Sequence, residues 1–168
     1  MTQPVIGTYG HGTENDFVLI FDSENAFSIT EQQIAAICNR STGIGADGLI
    51  RITKNDGRWF MDYRNADGSI AEMCGNGIRV MARYLVTRDF QPEGIFAIDT
   101  RAGIKHLRVP RDGDISVNMG HVTDEMEEIE ATNNGHTWSG FNINVGNPHA
   151  VVFVDSLDEV GSLVDAPT

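Results

Sequence analysis

The chain has 168 residues, room for one domain or one and a fraction, and 40% hydrophobic with 21% charged content is the balance of an ordinary globular protein. A formal net charge of −12 repels phosphate backbones and anionic lipid headgroups, which argues against nucleic acid or a membrane surface as partner. No apolar run approaches a membrane span, MTQPVIGTYG resembles no secretion signal, and the two cysteines, Cys38 and Cys74, lack CxxC spacing, so a reducing cytoplasm is the expected location.

A first strand is predicted at about 4–8. GHGTEND (10–16) then reads as a Gly-rich loop without the Gly-Lys-Ser/Thr ending of a phosphate loop. Asn15 and Asp16 suit either a turn or a ligand. FVLIFD forms a strand at about 17–22. Thr30 with Gln33 matches a capping box and opens a helix from about Glu31 to Arg40, with Ile34, Ile37 and Cys38 on one face. Cys38 therefore reads as a small core residue. GIGADG (43–48) fits the dinucleotide pattern GxGxxG, but a helix precedes it and a strand follows, the reverse of what such a site needs. It reads instead as a helix-to-strand turn, with Gly43 as the helix stop.

Strands follow at about 48–53 and 58–64, and then a second helix over about Asn76 to Thr87. Ile78, Met81, Ala82, Leu85 and Val86 give that helix one apolar face. Further strands are predicted at about 95–100, 104–109 and 114–119, and a pair at 141–145 and 150–154. VTDEMEEIEATNNG (122–135) reads as a solvated acidic loop. Strands outnumber helices and the order is not an alternating βαβ, so the fold class is α+β. The expected organisation is a first unit over 1–113 and an incomplete second unit over 114–168, too short for a core of its own.

The histidines share no metal-ligand spacing and no cysteine partners, so no metal is expected. Cys74 is the residue that packing does not explain. It stands immediately before Gly75-Asn76-Gly77, at the mouth of the second helix. Free N–H groups and the helix dipole favour an anion at that position. The glycines let a ligand approach the backbone, so a carboxylate fits on the N–H groups of Gly75 and Asn76. The thiol would then lie beside the carbon that carries the carboxylate. A base, a nucleophile and a redox thiol all remain open on these residues.

GHGTENDFVLIFD (10–22), ICNRSTGIGADGLI (37–50), MDYRNADGSIAEMCGNGIRVMARYL (61–85), DISVNMG (114–120) and NVGNPHAVVFVD (144–155) together resemble the diaminopimelate epimerase family. RNADG followed by MCGNG is the most specific part. The resemblance implies curled, mostly antiparallel sheets, each around a central helix, in two similar halves. It implies cofactor-independent interconversion of LL- and meso-diaminopimelate in lysine and peptidoglycan precursor synthesis. Two cysteines would exchange the α-proton from opposite faces.

Carried onto this chain, the resemblance makes Cys74 one of those cysteines and His149 a residue important for turnover. It makes Gly75 and Asn76 the carboxylate grip, and Asn15, Asn65 and Asn147 substrate contacts. No cofactor is implied; the partner is the small-molecule substrate, with a homodimer as an option for the intact enzyme. The family's second Cys-Gly-Thr-Gly turn and its Glu-Arg pair do not occur in this sequence, and Gly48 stands where some relatives carry a glutamine. The fragment by itself is expected to be inactive. The alternatives are another racemase or isomerase of the same superfold, and a non-catalytic amino-acid-binding module.

Overall fold

Phe17-Val18-Leu19-Ile20 is a continuous apolar run because both faces of its strand are covered. Phe17 and Leu19 pack with Ile50, Ile52, Met61, Ile78, Met81 and Leu85 on one side. Val18 and Ile20 pack with Ile34, Cys38 and Leu49 on the other. Alternate residues of a strand point to opposite faces, so a strand between two helices must be apolar throughout.

The computed structural model describes residues 5–121, 123–133, 135–145 and 148–161. They divide into two units, Met1–Met119 and Gly120–Thr168. In the first, the elements are β1 (Gly7–Gly12), β2 (Asn15–Phe21), α1 (Glu31–Cys38), β3 (Gly48–Asn55), β4 (Arg58–Asn65), α2 (Gly75–Thr87), β5 (Gly94–Thr100), β6 (Gly103–Val109) and β7 (Ser116–Asn118). The seven strands form one sheet in chain order. Neighbours are antiparallel except β2–β3 and β4–β5, which are parallel and joined through α1 and α2. The amphipathic face of α2 packs against β1 and β2 at one end of the sheet and β6 and β7 at the other, so the sheet curls around it. This is the α+β architecture expected, with α2 as the central helix.

Several elements depart from the sequence reading. The first strand lies at Gly7–Gly12, not 4–8, and pairs with β2 through a two-residue turn, Thr13-Glu14. Both turn residues have left-handed φ, 55° and 64°. Such a turn matches the twist of a hairpin but favours Asn and Gly, which is why Thr-Glu does not signal it. GHGTEND is therefore mostly hairpin.

α1 keeps its capping box: Gln33 N donates to Thr30 Oγ1 at 3.2 Å, and Thr30 N donates to Gln33 Oε1 at 2.9 Å. It ends at Cys38, short of Arg40. Asn39 takes over with its side-chain oxygen, accepting from the amides of Ser41 and Thr42 at 2.8 and 2.9 Å. Gly43 folds back onto the helix end, where a Cβ would stand 2.1 Å from the carbonyl oxygen of Ala36. The first unit, Met1–Met119, takes in β7, whose Val117 pairs with Leu107 of β6.

In the second unit, β8 (Thr123–Asn133), β9 (His136–Asn144) and β10 (Pro148–Val152) form an antiparallel sheet in the order β10-β9-β8, followed by the short helix α3 (Leu157–Val160). The acidic segment read as a loop is thus a strand. Exposed Glu128 and Glu130 alternate with half-buried Ile129 and Ala131. The density of charge conceals that period of two.

Candidate active site

The segment that delivers Cys74 begins where β4 ends. Asn65 closes a turn with Gly68 N donating to its carbonyl at 2.9 Å, and its own amide nitrogen donates to Ser69 Oγ at 3.0 Å. Ser69 N donates to Asp67 Oδ1 at 2.8 Å. The chain then runs back along β4, with an isolated bridge between Arg64 and Ile70. Arg101, just past the end of β5, pins this return. Its guanidinium donates to the carbonyls of Tyr63 and Ala71 at 3.1 and 3.3 Å and to Asp62 Oδ1 at 2.5 Å. Met73 is buried in the core, and Cys74, half-buried, becomes the N-cap of α2.

The Cys74 sulfur accepts the backbone N–H of Gly77 at 3.3 Å, and the Cys74 carbonyl accepts that of Ile78 at 2.9 Å. The N–H groups of Gly75 and Asn76 have no acceptor among the described residues, as the first turn of a helix dictates. Two donors at a dipole-positive terminus therefore stand next to the sulfur of a half-buried cysteine. The Cys74 sulfur lies 3.7 Å from Asn15 Oδ1, its S–H donating, and Asn76 Nδ2 lies 3.5 Å from the same oxygen. The Asn76 side-chain oxygen accepts from Arg79, which also donates to Thr13 Oγ1 at 3.1 Å.

Behind Asn15 is a charged group of Asp16, Arg40 and Asp47, of which the sequence reading singled out Asp16 alone. Asn15 Nδ2 donates to Asp47 at 2.6 Å. Arg40 donates to both oxygens of Asp16 and to Asp47. The Arg40 guanidinium, helped by the Tyr9 hydroxyl and the Asp47 amide, holds the Asp16 carboxyl well below the usual carboxylate range against the opposing effect of burial. Tyr63, in the core beside this region, is pushed up to about 12, first by burial and then by the negative charge of a Cys74 thiolate. It stays a neutral phenol.

Cys74, Asn15 and Asn76 thus meet in one hydrogen-bonded set, with Gly75 between the last two elements of that set in the chain. Asn65 sits at the root of the Cys74 segment, its amide engaged with Ser69. His149 belongs to the second unit, exposed on β10 opposite Ile143 of β9. Asn147 lies outside the described residues. Gly48, opposite Asn65, has no space for a side chain: a Cβ there would come within 2.5 Å of the Arg64 carbonyl oxygen. Cys38, 2% exposed, sits in the α1 cluster, where burial pushes its thiol up. Among the described residues no three His, Cys, Asp or Glu side chains gather as metal ligands.

A family profile described as diaminopimelate epimerase matches residues 7–124, which include the hairpin, both glycine turns and the whole Cys74 segment. The chain belongs to the diaminopimelate epimerase family. Among curated relatives, the diaminopimelate epimerase of Streptomyces coelicolor is 44% identical over 170 residues, covering 95% of this chain and 59% of the relative. That of Rhodococcus opacus is 42% identical, covering 83% of this chain and 55% of the relative. That of Corynebacterium glutamicum is 38% identical, covering 88% and 58%. The chain therefore spans somewhat more than half the length of these family members.

Two solved structures share the fold. One is a hydroxyproline epimerase from Agrobacterium vitis with bound trans-4-hydroxy-L-proline, with a TM-score of 0.65 at 12% identity, covering 87% of this chain and 50% of that one. The other is a phenazine biosynthesis protein of the PhzF family from Bacillus anthracis, with a TM-score of 0.56 at 17% identity, covering 92% and 56%. At these identities the likeness speaks for the fold of this family.

Proposed function

We propose that this chain carries one catalytic half of a cofactor-independent diaminopimelate epimerase, acting in lysine and peptidoglycan precursor synthesis in the cytoplasm. The observation that carries the reading is the Cys74 sulfur at the head of α2, beside the N–H groups of Gly75 and Asn76, which have no acceptor among the described residues. The substrate's α-carboxylate docks on those two amides, which places its α-carbon against the sulfur. The Cys74 thiolate takes the α-proton and becomes a thiol, leaving the electron pair on the substrate. A second thiol returns a proton to the opposite face, and the configuration inverts. In the reverse direction the two sulfurs exchange roles.

An α C–H is a very weak acid, so the donors must strengthen as negative charge builds on the carboxylate. Fixed backbone amides at a helix N-terminus do this without reorganising. Asn15, Asn65 and Asn147 contact the substrate's amino and carboxylate groups, and His149 supports turnover. Cys38 does not supply the second sulfur, since it is packed inside the α1 cluster. In this reading that sulfur comes from a part of the enzyme beyond these residues, and the 168-residue chain is inactive without it.

The test is α-deuterium incorporation into LL-diaminopimelate in heavy water. In the full-length enzyme, Cys74→Ala lowers epimerisation by about three orders of magnitude, the scale for removing a positioned acid-base group. Near-normal turnover of that variant ends the proposal. Rapid epimerisation by the isolated chain contradicts the two-thiol scheme.

A further inference from the structure

Asp47 touches Asn15, which touches the reacting sulfur, and Arg40 ties Asp47 to Asp16; the mechanism above uses none of these three side chains. Arg40 Nη1 and Nη2 donate to Asp16 Oδ2 and Oδ1 at 2.9 and 2.8 Å, and Nη2 also donates to Asp47 Oδ1 at 2.7 Å. The other oxygen of Asp47 accepts the backbone N–H of Asp16 at 3.1 Å and Nδ2 of Asn15 at 2.6 Å. An ionised carboxylate accepts hydrogen bonds and donates none. The Asn15 atom against Asp47 is therefore the nitrogen. Its amide oxygen is left facing Cys74 Sγ and Asn76 Nδ2 at 3.7 and 3.5 Å. The Asn76 amide favours the same orientation but only at the 3.5 Å limit, so the 2.6 Å contact with Asp47 is the stronger hold on which end faces the sulfur.

We propose that Asp47, held by Arg40, is a positioning residue for the Cys74 site: it locks the Asn15 amide so that an acceptor, not a donor, faces the sulfur. The inference deepens the epimerase reading and rests on Cys74 as the reacting group. Its consequence is chemical. The Asn15 oxygen receives the S–H of the neutral thiol but gives nothing to a thiolate, whose one donor among the described residues is the Gly77 amide. The same oxygen is oriented to receive a hydrogen-bond donor from a ligand docked beside Cys74.

The test needs no substrate, so its failure and that of the epimerase reading are separable. The rate of alkylation of Cys74 by iodoacetamide is followed in the 168-residue chain at neutral pH, with the site read by peptide mass spectrometry. In Asp47→Asn the residue at 47 can donate as well as accept, so Asn15 is free to turn its nitrogen onto the thiolate. Cys74 then alkylates about threefold faster or more, the gain expected from one added hydrogen bond. In an Asn15→Ala background the same substitution changes the rate less than about twofold, since the coupling runs through Asn15. An unchanged or slower rate in Asp47→Asn overturns the proposal. So does an acceleration that persists in full without Asn15, which would be a through-space effect of the lost charge. If circular dichroism shows Asp47→Asn unfolded, Asp47→Ser, too short to reach Asn15, takes its place in the same cycle with the same criteria.

Discussion

The backbone amide of Gly77 donates to the sulfur of Cys74 at 3.3 Å, so the thiol at the candidate site is also the cap of the central helix. One atom serves both stability and chemistry, and substitution separates the two. Cys74→Ser keeps an acceptor for the Gly77 amide and leaves the unfolding free energy unchanged or slightly higher. Cys74→Ala removes it and costs about 1 kcal/mol, the usual value of an N-cap. Urea titration of the two variants measures the difference. Equal stability of Ala and Ser would show that the sulfur contributes nothing as a cap.

Arg101 joins three parts of the first unit: Asp62 on β4, the Tyr63 carbonyl, and the Ala71 carbonyl on the way to Cys74. Asp62 is also reached by Arg64 at 2.9 Å and by Arg51 at 3.8 Å. Arg101→Met strips one cation from this carboxylate and frees two carbonyls. The expected loss is about 2–3 kcal/mol, below the full cost of breaking a buried pair because Arg64 remains. Hydrogen exchange should accelerate at 71–73 more than along β3. Uniform acceleration across the unit would mean that Arg101 stabilises the whole fold and not this segment.

Asp16, Asp22 and Asp62 all titrate below the ordinary carboxylate range in the folded chain. For Asp16 the Arg40 guanidinium is the main cause. For Asp22 burial pushes the other way, but the Ala26 amide and Arg51 outweigh it. For Asp62 burial is likewise outweighed, by Arg101 and Arg64. A folded-state pKa below the unfolded one means that the unfolded chain binds more protons on acidification. The stabilisation is complete above the unfolded value, near 4 for an aspartate, and is lost as pH falls toward the folded values. The urea midpoint is therefore expected to hold between about pH 7 and 5 and to fall below about pH 4. Asp62→Asn should flatten part of that fall. A midpoint that rises through this acidic range would contradict the assignment.

Patterns confined to one element were legible in the sequence. Thr30 and Gln33 announce the start of α1, the spacing of Ile78, Met81, Ala82, Leu85 and Val86 marks the buried face of α2, and CGNG places a thiol at a helix mouth. Each is decided within a few residues of chain, where propensity, capping and periodicity act. RNADG with MCGNG likewise identified the family before any strand was paired.

The tertiary structure decided what depends on register. Thr13-Glu14 turns a hairpin without turn-forming residues because β1 and β2 pair on either side of it. The acidic β8 is a strand because β9 lies beside it. The environment of Cys74 follows from one parallel pairing, Phe17 with Gly48, which brings the preceding residues, Asp16 and Asp47, side by side. Arg40 holds the two carboxylates together, and Asp47 orients Asn15 toward the sulfur. Local spacing set where the thiol stands; its neighbours come from segments far along the chain, and only strand pairing brings those into contact.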